Sequence, residues 1–185
     1  KPELGRFLVQ DRFSEKYFDL HPYQYGANNP LLFIDVNGDS LVVSGEQSAI
    51  DKFKSLSDQG LGGFYTTTVG KDGLVSLVGT GKKGEMSEQQ QAFFAGMSQS
   101  TSLEAPVVNI GLVESDNQVL VGSDGLQQMD VDDIAAFGSD GPATSAGALI
   151  HEVTEQYYKQ AAGLDYGDDN TGAHGLAISH EDMVN

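Results

Sequence analysis

No proline or glycine interrupts residues 148–162, and this stretch carries the one set of side chains whose spacing points to chemistry rather than packing. Thr144 or Ser145 stands where an N-cap is needed, so the segment is expected to be a helix. Leu149, Ile150, Val153, Tyr157 and Ala161 recur at helical intervals and form the stripe expected to face a core. His151, Glu152 and Glu155 lie off that stripe. His151 and Glu155 are four residues apart, which stacks imidazole and carboxylate one turn apart on the same face, close enough to share a metal ion.

The run His151-Glu152-Val153-Thr154-Glu155 differs at one position from the helix motif His-Glu-x-x-His, in which two histidines bind zinc and the glutamate acts as general base. Glu155 stands in place of the second histidine, and carboxylate oxygen is an accepted zinc ligand. A second helix is expected over 173–184, after a turn rich in glycine and aspartate. His174, Ile178 and Glu181 share one of its faces, and His180 points elsewhere. A third ligand from this helix, His174 or Glu181, would complete three protein ligands with one position open for water. His174 is preferred, because two carboxylates with one histidine make a harder, weaker zinc site. Tyr157, Tyr158 and Tyr166 are candidates to stabilise an oxyanion. The competing reading is a surface helix with chance histidines, although three of the chain's four histidines fall in its last thirty-five residues.

Cysteine is absent, so disulfides and thiolate metal sites are excluded and His, Asp and Glu remain as the strong metal ligands. The net charge of −17 is uneven: from Glu114 onward fourteen acidic residues face Lys159 alone, whereas residues 1–39 carry six acids and four bases. Such a surface repels phosphate backbones, so no nucleic-acid partner is expected. No run of eighteen apolar residues occurs, so no membrane span is expected. Lys1-Pro2 reads as a cut end. A chain of 185 residues can bury one sizeable core.

Between 40 and 143 the pattern alternates. Residues 40–44 are a short β-branched run, and 46–59 read as an amphipathic helix with Ile50, Phe53 and Leu56 inward. Residues 64–69 and 74–79 bracket a hairpin with Asp72-Gly73 at its tip. Ser87 with Gln90 forms a capping-box signature for a helix reaching about Met97. Residues 107–114 and 118–122 are expected as a second hairpin around Ser115-Asp116-Asn117, and 124–137 as an edge strand running into a turn. Asp165, Asp168, Asp169 and Asn170, and likewise Asp35 to Asp39, offer oxygen ligands for calcium but lack EF-hand spacing, and read as turns.

Residues 1–39 are dense in turn residues and aromatics. Pro2-Glu3-Leu4-Gly5-Arg6-Phe7, Asp11, His21-Pro22-Tyr23, Asn28-Asn29-Pro30 and Phe33-Ile34-Asp35 before Gly38 follow in order. This segment resembles the end of the core domain that closes RHS-repeat proteins. The resemblance implies a hollow β shell upstream and a variable toxin or effector domain downstream, delivered to a neighbouring or host cell. Many members end this core in Asp-Pro-x-Gly, linked to self-cleavage, whereas Val36 replaces the proline here.

The whole is similar to zincin-like metallopeptidase domains carried as C-terminal toxins. The expected fold is α+β, a zincin-like domain over residues 40–185 with a small mixed sheet, its last strand beside the metal-site helix. The expected activity is zinc-dependent cleavage of a protein or peptide substrate. His151, Glu155 and His174 or Glu181 would hold zinc, and Glu152 would be the general base. A cognate immunity protein and the RHS shell are the other implied partners. A non-catalytic binding module, with a structural metal or none, is the alternative; a nuclease or glycan hydrolase has less support.

Overall fold

The computed structural model describes residues 41–101, 107–116, 118–119, 121–123, 127–138 and 142–185, so the RHS-like segment 1–39 lies outside the described residues. In chain order they form β1 (Leu41–Ser44), α1 (Gln47–Gly60), β2 (Tyr65–Val69), β3 (Val75–Gly79), α2 (Glu88–Ser100) and β4 (Val108–Val113). The second half adds β5 (Gly122–Ser123), β6 (Gln128–Asp130), α3 (Val131–Ala136), α4 (Ser145–Gln160) and α5 (Gly172–Val184). The result is a mixed α/β fold with small sheets. Among the described residues no helix is long and apolar enough to cross a membrane.

Strand alternation sets the main sheet. Leu41 and Val43 on β1, and Val108, Ile110 and Leu112 on β4, turn every second side chain into the core. These strands pair in parallel, Leu41 opposite Val108 through Ser44 opposite Gly111. On its other side β4 pairs in parallel with β6, and β5 closes the sheet antiparallel to β6, giving the order β1-β4-β6-β5. The hairpin β2-β3 forms where Asp72-Gly73 signals it. Gly73 takes φ 83°, and its carbonyl accepts a hydrogen bond from Val43 N at 2.9 Å, which ties the hairpin to β1. Ser87 and Gln90 form the capping box that opens α2, and Phe53, Phe93 and Met97 bring α1 and α2 into the shared core.

Two expectations are corrected. Residues 107–114 and 118–122 do not pair as a hairpin, because both edges of β4 are occupied by parallel neighbours. The chain instead leaves β4 through left-handed turns at Ser115 (φ 50°), Val121 (φ 60°) and Gln127 (φ 52°). Nor is 124–137 an edge strand: Gln128–Asp130 lies inside the sheet and Val131–Ala136 is helical. Met129 to Val131 has the strand period, but Val131 to Ile134 is a helical step, and Asp130 sits at the change as N-cap. The outer strands of this sheet are β1 and β5.

Asp130 is fully buried, and its carboxylate accepts four main-chain N–H bonds: Ser115 at 3.1 Å, Asp116 at 2.6 Å, Asp132 at 2.9 Å and Asp133 at 3.2 Å. One side chain thus caps α3 and holds the turn leaving β4. Asp130→Ala removes the cap and strands donors at both places, so a loss of about 2–4 kcal/mol is expected in urea unfolding. A loss below about 0.5 kcal/mol, the range of ordinary surface substitutions, would contradict that role.

Candidate metal centre

Helix α4 is buried on more than its apolar stripe. Leu149, Ile150 and Val153 are fully covered, as expected, but His151, Glu152, Glu155 and Gln156 are also at most 8 % exposed. Thr144 caps the helix by accepting from Gly147 N at 3.0 Å. At the far end, Gln160 donates to Asn109 O (2.9 Å) and accepts from Asn109 N (2.8 Å), clamping α4 to the β4 backbone. Buried polar groups need partners, and those of the His-Glu run come mostly from α5.

Helix α5 makes the most extensive helix contact with α4. Asn185 anchors its end by accepting from both the main-chain N (2.8 Å) and the hydroxyl (2.9 Å) of Thr144. His174, in the first turn of α5, then meets α4. His151 Nε2 lies 3.2 Å from His174 Nδ1, His174 Nδ1 lies 2.8 Å from Glu155 Oε2, and His151 Nε2 lies 3.5 Å from Glu155 Oε2. Three donor atoms from three residues therefore converge on one point, a grouping able to hold a metal ion. Zinc with ligands at 2.0–2.2 Å in tetrahedral array spaces them about 3.3–3.6 Å apart, so the His151–His174 and His151–Glu155 separations are close to that spacing, while the hydrogen-bonded His174–Glu155 pair at 2.8 Å would have to open by about half an ångström to admit the ion.

Of the four expected ligands, the structure brings together His151, Glu155 and His174, while Glu181 takes another position. Its Oε2 lies 2.8 Å from His151 Nδ1, the ring nitrogen turned away from the cluster, and Asn185 Nδ2 donates to its Oε1 at 3.3 Å. A carboxylate on the far nitrogen is the arrangement that fixes tautomer and ring orientation of a metal-binding histidine. Tyr166 stacks on the His174 ring, centroids 4.7 Å apart at 20°. Tyr158 instead pairs with His180 at 3.1 Å, and Tyr157 packs against the core, so of the three candidate tyrosines only Tyr166 adjoins the cluster.

Glu152 faces a different neighbour. Its carboxyl lies against Gly122 of β5 and makes no hydrogen bond among the described residues. Burial raises its pKa to about 7; His151 opposes the rise, and the Glu155 charge adds to it. For His151 burial pulls downward, but the bonds to Glu155 and Glu181 prevail and lift it to about 10. Burial likewise pushes Glu155 up, yet the bonds to His151 and His174 hold it below the ordinary range, and the His151 bond does the same for Glu181.

Sequence periodicity missed the contact of Glu152 with Gly122, since a turn and a helix thirty residues apart share no local pattern. It also missed the row Glu152, Gln156, Gln160. These follow at i, i+4 and i+8, a polar repeat that could have marked the sheet-facing side of α4. The Asp165 to Asn170 cluster is a turn, as preferred: Asp168 accepts from Asn170 N at 3.0 Å and Thr171 Oγ1 at 2.9 Å.

His151 and Glu152 both gain proton affinity on folding, so each stabilises the metal-free fold in its protonated form. The Glu152 contribution is full below pH 4.5 and lost by about pH 7; that of His151 is full below pH 6.5 and lost toward pH 10. The melting temperature of the chelator-treated protein is therefore expected to fall across pH 6.5 to 10. A rise across that window would contradict the His151 bonding. No protein-family model matches this chain, and neither a curated protein nor a solved structure does, so the chemistry of the site rests on its own side chains.

Proposed function

We propose that the described domain is a zinc-dependent peptidase of zincin-like architecture. The observation that carries this reading is the convergence of His151 Nε2, Glu155 Oε2 and His174 Nδ1, 2.8–3.5 Å apart, between two packed helices. The antiparallel edge strand β5, beside the helix that carries the ligands, supports it. When bound, zinc supplies Lewis acidity for a scissile carbonyl and lowers the pKa of water. Glu152, held near neutrality by burial, takes a proton from the attacking water and passes it to the leaving amine. Glu181 keeps Nδ1 of His151 protonated so that Nε2 presents its lone pair to the centre. Tyr166, stacked on His174, is the tyrosine that would stabilise an oxyanion.

The resemblance of residues 1–39 to the end of the RHS core supports a role as an effector domain, delivered to a neighbouring or host cell and blocked there by an immunity protein. A protein or peptide is the substrate. A second reading draws on one observation. Glu155 lies at bonding or near-bonding distance from both imidazoles, so protons alone satisfy the cluster, and a non-catalytic module could keep the same geometry.

Elemental analysis of the purified protein separates the two. About one zinc per chain is expected in the parent and in Glu152→Gln, and none in His151→Ala or His174→Ala. Turnover of fluorescently labelled casein is expected to fall about 100- to 10,000-fold in Glu152→Gln with zinc retained. Glu181→Gln is expected to weaken zinc affinity about 10- to 100-fold. Zinc in the parent with no turnover of casein or of a peptide library would favour the structural-metal module, and no zinc at all would remove the centre.

A further inference from the structure

Gly122 of β5 lies directly against the glutamate of the His-Glu run. A Cβ placed there would lie 2.7 Å from Glu152 Oε1 and nearer still to Oε2, so no residue with a side chain fits while Glu152 keeps its place. The backbone before it is strained: Val121, a β-branched residue, holds φ 60°. Two bonds maintain that conformation. Val121 O accepts from Asp130 N at 2.7 Å, and Val121 N donates to Asp133 Oδ2 at 3.3 Å, so the buried cap of α3 and its first turn grip the residue from both sides. The turn delivers β5 across the carboxyl of Glu152, a residue 8 % exposed whose carboxyl has no hydrogen-bond donor among the described residues.

We propose that Gly122, aimed by the left-handed Val121, is the positioning residue for Glu152: its bare backbone seats the carboxyl and leaves it a single direction to work in. Substitution for helix-to-sheet packing alone would be felt whatever stands at 152, whereas seating requires that the cost of a side chain at 122 depend on the side chain at 152. For its consequence in turnover, the proposal rests on the peptidase reading above.

The test uses the full chain with Gly122→Ala, Glu152→Ala and the double substitution, each checked by circular dichroism, thermal melting and zinc content. Gly122→Ala is expected to lower the melting temperature in the parent and to leave it nearly unchanged in the Glu152→Ala background. With zinc still at one per chain, its kcat on labelled casein is expected to fall about a hundredfold at unchanged KM, since misplacing a reacting group by an ångström has that effect. In Gly122→Ala/Glu152→Asp the carboxyl is withdrawn by one methylene, and part of the lost stability is expected to return. Should Gly122→Ala not fold, recovery of folding in either double substitution supports the seat, and failure of both overturns it. An equal melting loss in both backgrounds, or a kcat unaffected by Gly122→Ala, also overturns it. A parent that binds no zinc and cleaves nothing ends the peptidase reading, while the melting comparison still decides whether Gly122 seats Glu152.

Discussion

The carboxylate of Glu155, set between two imidazoles, is the interaction on which the second half of the molecule depends. Helix α4 is buried around much of its circumference, and a carboxylate and an imidazole taken from water without partners are costly enough to unfold a small domain. Helix α5 removes that cost: His174 reaches Glu155, Glu181 reaches His151, and Asn185 ties the end of α5 to the start of α4. A pair of apolar helices would have been easier to bury. That this pair is ionisable, and that its donor atoms point inward to one centre, is what the proposed function draws on.

The two faces of the His-Glu run answer to different parts of the fold. His151 and Glu155 look toward α5, whereas Glu152 looks toward β5 and is the residue whose burial draws its proton affinity to neutrality. Under the proposed function, holding a cation and handling a proton would fall to separate supports, a helical hairpin and a sheet edge. The sheet edge is in turn held by Asp130, which caps α3, gathers the turn after β4 and bonds back to Val121.

What was legible in the sequence follows from range. Helices α1, α2, α4 and α5 and the β2-β3 hairpin announce themselves through periodicity, capping residues and turn residues, which act within a few positions, and His151, Glu155 and His174 through helical spacing. The β4-to-β6 crossover was not legible. Ser115-Asp116-Asn117 looks like a hairpin tip, but strand choice there is made by β1, some seventy residues earlier, which claims one edge of β4. The division of labour between His174 and Glu181 was also hidden, because both lie on one helix face and only the two nitrogens of His151 tell them apart.

All three converging donors belong to a single helical hairpin, with short loop closure between them, while β1 and β4 must find each other across an intervening sixty or more residues. The His151–Glu155–His174 cluster can therefore assemble from local contacts early in folding, ahead of the parallel sheet, whereas the packing of Glu152 against Gly122 completes only when β5 docks. If the cluster holds the proposed ion, a chain interrupted midway through folding would grip it without yet being equipped to use it.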